Sequence, residues 1–376
     1  MKSFRIISLI LLTLSLCVAC AEAGRRGAES FDSTIYEPIY ASGYTIDADD
    51  KANTLIRVTK PWQGSALEEQ TLAIFANEEM AEGYIGQYIV GAAERVVCMS
   101  SSHIAMLDAI GRVDAVVGVS GKQYITNAEV AQNPAVKDIG YDSSLDYESL
   151  LMLKPDVVLM YGVSAANDAV TAKFRDLGIP YLYLGDYTEE SPLGKAEWVV
   201  AIAEIVGCRE MGEEVFADIV ERYNAVRDAV VRKDSAPKVM FNLPYQDVWY
   251  MPSDDSYMVQ LVEDAGGAYI YKGMNPAGGS KGVSLEEAFM LVSSADIWLN
   301  VGQCSTMEEL RSAAPHFADC NVVRIGEVYN NNRRRTKAGG SDFWESAIVR
   351  PDVVLSDLVT IIAGGDEDIY YYQQLR

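Results

Sequence analysis

The chain has 376 residues, 49% of them hydrophobic and 10% aromatic, which excludes wholesale disorder and is long for a single core. Its formal net charge is −23; without the Lys2 and Arg5 of its leader, 29 Lys and Arg stand against 54 Asp and Glu, a charge of −25. That sign argues against nucleic acid or an anionic membrane surface as partner.

Met1–Ala19 joins Lys2 and Arg5 to an apolar run from Ile6, the layout of an export signal and too short to span a bilayer. Small residues before Cys20 resemble a bacterial lipoprotein cleavage site. Residues 1–19 are therefore predicted to be removed and Cys20 lipidated in the cell envelope, although Cys17 stands where a leucine-type residue is usual. Residues 20–30 read as a tether. A small N-terminal β extension is expected over 31–93, with strands at Leu55–Val58 and Thr71–Phe75 around the turn-rich Lys60–Gly64.

A first lobe is expected over 94–190. Strands at Val96–Met99, Val116–Val119, Asp156–Met160 and Tyr181–Leu184 alternate with helices at Ser100–Ile110, Asp146–Leu153 and Ala165–Leu177. Short apolar strands between helices imply a parallel sheet covered on both faces. A stiff linking helix follows over 191–234. Ser191 can cap it and Pro192 suits its first position. Leu193, Ala196, Val199, Val200, Ala203 and Val206 recur at helical spacing. Gly207 interrupts, and a second run through Val215, Ile219, Tyr223, Val226 and Val230 spans about 30 Å.

A second lobe is expected over 235–376. Its strand Lys238–Leu243 is predicted to have Val248–Met251 beside it, before helices at Ser256–Ala265 and Ser284–Val292. A strand at Asp296–Val301, a helix boxed by Ser305 and Glu308, a strand at Val322–Ile325 and a helix at Pro351–Ala363 follow, with Tyr370–Arg376 as a tail. The predicted fold is α/β: two doubly wound parallel-sheet lobes joined by one long α-helix, in a monomer.

The halves echo each other. Asp146 stands two places before Glu148, and Ser284 two places before Glu286; each pair opens a helix that leads to an Asp and an apolar strand, at Asp156 and Asp296. An acidic residue in a first turn is common, since it favours the helix dipole by about 0.3–1 kcal/mol. The same register in both lobes is what lifts this pair, and the two carboxylates could fix two points on a large partner through arginines.

Arg95–Ser102, Val116–Ser120, Ile139-Gly140-Tyr141, Glu148 and Leu153–Leu159 together resemble the cobalamin/iron-siderophore class of ABC-transporter substrate-binding proteins. Phe343-Trp344-Glu345 leading to Val349–Asp352 extends the likeness, which covers about 94–364. The resemblance implies two lobes on one helix, with one glutamate per lobe docking into arginine pockets of an ABC permease dimer. The matching positions are Glu148 and Glu286.

Ligands of open parallel sheets bind beyond the carboxyl ends of the strands. The loops there hold His103, Tyr124, Tyr141 and Tyr161 in the first lobe, and Tyr245, Trp249, Arg333, Arg334, Arg335 and Trp344 in the second. Each has a plainer reading, as a cap neighbour, as core packing or as a solvated loop. Arginine forks suit carboxylate or catecholate oxygens and aromatics stack on flat rings. The expected ligand is an anionic metal chelate such as a ferric siderophore; Arg-poor, aromatic-rich walls would instead favour a corrinoid or haem.

No enzyme is expected, and no cofactor or metal of the protein's own. The chain has two histidines, no Gly-x-Ser-x-Gly elbow and no phosphate loop. A lipoprotein receptor serving some assembly other than an ABC importer is the alternative class. Of the cysteines left after export, Cys304 and Cys320 could pair, or, with Cys98 and Cys208, serve as small hydrophobes.

Overall fold

The computed structural model describes residues 26–64, 69–162, 168–232, 234–275, 279–365 and 368–376. The leader and Cys20 lie outside the described residues. The expected tether ends earlier than the sequence suggested. Arg26 donates its backbone N–H to Gly83 at 3.0 Å, and Ala28–Ser30 forms a 3₁₀ turn, so residues 26–30 belong to the folded body.

Five strands form the extension: β1 (Ser33–Tyr36), β2 (Tyr44–Ala48), β3 (Thr54–Val58), β4 (Gln70–Phe75) and β5 (Tyr88–Val90). They lie in sequence order and are antiparallel until β5 joins β4 parallel. The first lobe holds β6 (Val96–Cys98), β7 (Val116–Val119), β8 (Lys137–Asp138), β9 (Val157–Tyr161) and β10 (Tyr181–Leu184), all parallel in the order β10-β9-β6-β7-β8. Val96, Val97, Val157, Val158, Leu159 and Met160 are fully buried, as a sheet covered on both faces demands.

The second lobe repeats the plan. Its strands are β11 (Lys238–Phe241), β13 (Ala268–Tyr269), β15 (Ile297–Leu299), β16 (Val328–Asn330) and β17 (Gln373–Gln374), in the order β13-β11-β15-β16-β17. Only the β16–β17 pair is antiparallel. In each lobe an aspartate ties the central strand to its neighbour. Asp156 accepts the N–H groups of Glu94 and Arg95, both at 2.9 Å, and Asp296 that of Lys238 at 2.8 Å. Just before Asp156, Lys154 adopts φ 46° and ends its helix, and Pro155 prevents the helix resuming.

The expected rod is two helices. Pro192–Ile205 is buried around nearly its whole circumference and belongs to the core, with Ser191 Oγ accepting from Gly194 N at 2.9 Å. The chain then turns at Gly207, φ 73°. Arg209–Asp228, 20 residues and about 30 Å long, is the one long helix that runs from lobe to lobe. A Cβ on Gly212 would collide with the Cβ of Ala203 and stand 3.2 Å from Val200 Cα, so the bare backbone lets the two helices close up. At its far end Tyr223 donates to Asp264 at 2.7 Å and Arg222 pairs with Asp352 at 3.2 Å, both in the second lobe.

Buried carboxylates moor the extension. Glu197, fully buried in the helix Pro192–Ile205, accepts from the amides of Ile39, Tyr40 and Ala41 at 2.7–2.8 Å and from the Tyr36 hydroxyl at 2.9 Å. Glu189 accepts from the Ser42 and Gly43 amides and from Trp198 Nε1, all at 3.0 Å. Burial pushes the Glu189 carboxyl above its usual range, and those donors pull it back.

Several local expectations are corrected. β12 (Val248–Met251) pairs with β14 (Lys281–Ser284) in a separate ribbon, not with β11. Asn321–Ile325 is a helix, and the strand follows it as β16. Thr306, not Ser305, caps the helix Met307–Ala313, with Glu309 closing back on the Ser305 amide at 2.6 Å. The final residues are no tail. Tyr371, Tyr372 and Leu375 are buried, and Asp357 accepts the amides of Tyr370, Tyr371 and Tyr372. Cys98, Cys208, Cys304 and Cys320 are free, and all but the half-buried Cys208 are interior, which sides with small hydrophobes over a Cys304–Cys320 bridge.

Candidate functional site: an aromatic cleft between the lobes

In the first lobe the chain moves from β6 to one side of the sheet and later returns to the other, which leaves a crevice at the strand ends. A cavity of about 300 Å³ lies there. Its first-lobe wall is Ser100–Ser102 after β6, Tyr161 at the end of β9, and Asp186 and Tyr187 after β10. Pro192 and Lys195 supply the floor. Tyr257, Leu261, Phe343 and Trp344 form the opposite wall. Lys195 is the single cation lining it among the described residues; its ammonium donates to the Asp186 carbonyl at 2.7 Å and lies 4.8 Å from the Tyr257 ring centroid. Burial lowers the Lys195 pKa, opposed by the charges of Asp186 and Glu189.

Of the residues singled out from the sequence, Tyr161 and Trp344 meet across this cleft. Tyr161 is 39% exposed and Trp344 59%. Tyr124 and Tyr141 are also exposed and stand together around Gly121, whose φ of 64° no Cβ would share easily, since it would meet the Tyr141 hydroxyl at 2.9 Å. Tyr245 is exposed in the hairpin before β12 and lines neither described cavity.

His103 and Trp249 are corrected to core residues. His103 is fully buried beneath the Ser100 cap, its Nε2 4.0 Å from Asp186 Oδ1. Burial pushes its pKa down to about 4, against the pull of Asp186, and keeps the ring neutral. Trp249 is fully buried, donates to the Phe241 carbonyl at 2.8 Å and packs 5.5 Å from Trp298.

Arg333, Arg334 and Arg335 border a different cavity, of about 850 Å³, walled by Val215, Asp218, Ile219 and Arg222 of the long helix. Arg334 pairs with Asp342 at 3.0 Å and stacks on Tyr370 at 4.4 Å, while Arg335 donates to Ser305 at 2.9 Å. Arg333 donates to the Ile369 carbonyl. The sequence grouped these arginines with the aromatics; the fold separates them.

Tyr187, Tyr257 and Lys195 were missed. Tyr187 follows β10 as Tyr161 ends β9, so the strand-end rule could have found it. Tyr257 and Lys195 sit in first turns of helices, where no sequence signal marks them as cleft residues.

Glu148 and Glu286 are both exposed. Each sits at the second position of its helix, behind the caps Asp146, which accepts from Ser149 N, and Ser284, which accepts from Glu287 N. Backbone and Ser284 donors hold the Glu286 carboxyl below its usual range.

Two sheet-built lobes facing across an aromatic cleft and bridged by one long helix have the helical-backbone architecture. The chain belongs to the Periplasmic binding protein family, which it matches over residues 96–330. It is 26% identical over 281 residues to the uncharacterized lipoprotein MJ0878 of Methanocaldococcus jannaschii, covering 71% of this chain and 64% of that one. With a cobalamin-binding protein of Halobacterium salinarum it shares 27% identity over 237 residues, 63% of this chain and 61% of the relative. The chain thus matches less than two thirds of the length of these curated relatives.

Among solved structures, the periplasmic haem-binding protein RhuT of Roseiflexus sp. RS-1 superposes with a TM-score of 0.58 at 21% identity, over 73% of this chain and 99% of that one. The periplasmic vitamin B12 binding protein BtuF of Vibrio cholerae gives 0.53 at 15%, over 73% and 99%. These likenesses are of fold. Residues 31–93 fall outside the family match.

Proposed function

We propose that this chain is the receptor of an ABC-type importer, holding a macrocyclic metal chelate, a corrinoid or haem, between its lobes. The observation that carries this reading is the cleft wall of Tyr161, Tyr187, Tyr257, Phe343 and Trp344, which contains no arginine among the described residues. Flat, largely apolar rings stack on such a wall, whereas an anionic chelate would find only Lys195. Membership of a family of binding proteins favours capture over catalysis. Lipid on Cys20 would tether the monomer to the cell envelope, and Glu148 and Glu286 would dock it on the permease dimer.

The test is tryptophan fluorescence. Trp62, Trp198, Trp249 and Trp298 are buried, so Trp344 is the one exposed reporter among the chain's five. Cobalamin and haemin are expected to quench it, with a smaller quench in Trp344→Phe. The arginine-lined cavity supports a second reading, a ferric siderophore. Tighter binding of a ferric catecholate, lost when Arg333, Arg334 and Arg335 become alanine, would favour it and overturn the first.

A further inference from the structure

The correspondence between the lobes continues past the two glutamates. Glu286, Phe289 and Met290 each stand 138 positions after Glu148, Leu151 and Met152. Within each helix, Tyr147–Leu153 and Leu285–Ser294, the second and third members lie three and four places beyond the glutamate. They share its face, one turn along. Leu150 and Ala288, at corresponding positions, are fully buried and fasten each helix to its lobe. The outward triplets are exposed: Leu151 by 46%, Met152 by 71%, Phe289 by 46% and Met290 by 66%. Phe289 also meets Phe317 at 6.1 Å, which sets the angle of its ring. Scattered exposed apolar residues need no explanation. An apolar pair repeated in register behind an exposed carboxylate, once in each half of the molecule, is not scatter.

We infer that each lobe presents a composite contact, a carboxylate with an apolar pair one turn behind it, to a membrane transporter built from two equivalent subunits, each offering a cation beside an apolar socket. The inference rests on the importer reading above and adds Leu151, Met152, Phe289 and Met290 to it. Two like patches on one chain fit a partner that repeats its own surface by symmetry. A second copy of this chain would set carboxylate against carboxylate in a body already at −25, which like-charge juxtaposition disfavours. The apolar pairs exclude water from the ion pairs beside them and so strengthen them, and methionine adapts to an imperfect socket. Docking through such a surface keeps a component that salt does not screen.

The test places a photo-reactive benzoylphenylalanine at position 152, at 290, or at both, in the full chain expressed in its native host. Both single positions are expected to cross-link to an integral-membrane polypeptide of the same mass, and the doubly substituted chain to carry two copies of it. Met152→Ser combined with Met290→Ser should lower delivery roughly tenfold while leaving the Kd for cobalamin or haemin unchanged. Adducts of two different proteins, adducts of a second copy of this chain, or no adduct while uptake persists would each overturn the inference. Cross-linking by a chain that binds neither macrocycle would leave the docking surface standing and remove only the ligand reading.

Discussion

The carboxylate of Glu345, in the second lobe, accepts the backbone N–H of Thr126, in the first, at 2.8 Å. It also accepts from Asn127 N at 2.5 Å, and the same flank carries Thr126 Oγ1 to Asp342 at 3.3 Å and Thr336 Oγ1 to the Gln123 carbonyl at 3.1 Å. The lobes are thereby stapled beside Trp344. Glu345→Ala leaves two amides without their acceptor, at about 1–3 kcal/mol each. Faster ligand release in stopped-flow fluorescence and a larger radius of gyration by X-ray scattering are expected. No change in either would mean that the staple does not hold the lobes.

The buried His103 should make the protein acid-sensitive. Its folded pKa, about 4, lies below the unfolded value near 6.5. The unfolded chain therefore binds the extra proton first, and stability is lost as pH falls from about 6.5 towards 4. The full window corresponds to about 3 kcal/mol. Denaturant melts of parent and His103→Leu at pH 7 and pH 4 check it: the parent should lose more stability than the variant, and parallel losses would contradict the burial.

Replacing Trp344 or Tyr161 with alanine removes stacking area from the cleft and should weaken a bound macrocycle roughly tenfold each, or about 1–1.5 kcal/mol. The triple change of Arg333, Arg334 and Arg335 to alanine should leave cobalamin affinity within about twofold, because those side chains border the other cavity. Calorimetric titration of the three proteins decides.

Exposed first-turn residues contribute little to folding, so Glu148→Ala with Glu286→Ala should shift stability by no more than about 1 kcal/mol per site. Uptake should fall sharply with ligand affinity intact. Weakened affinity instead would place the glutamates in ligand binding.

Glu197→Ala strips the acceptor from three amides and a tyrosine hydroxyl and should destabilise the protein by about 3 kcal/mol or more. A thermal melt within a degree of the parent would show that the extension is held by other contacts.

Continuous apolar runs between helices carried the parallel strands, because a run such as Val157–Met160, buried on both faces, has no other comfortable home. The caps at Asp146 and Ser284 were legible for a similar reason, since a local hydrogen bond needs only local sequence. What failed depended on distance. Asn321–Ile325 is five residues of mixed apolar character, too short for its period to separate helix from strand. The last residues look polar and terminal, yet Asp357, more than ten positions upstream, gathers their amides. His103 sits one position beyond the cleft-lining Ser102, and a helix turns each successive residue by about 100°, which sends the ring inward. The arginines were assigned to the right loop, but the sequence could not show which of two cavities that loop faces.

The mooring of the extension bears on how far the chain can be shortened. Glu189 and Glu197 stand inside the stretch matched by the family, whereas most of their donors, the amides of residues 39–43 and the Tyr36 hydroxyl, lie before it. A chain cut back to residues 96–330 would leave Glu197 without those donors and Glu189 with Trp198 Nε1 alone. The sheet that precedes the matched segment is therefore part of what that segment needs in order to fold.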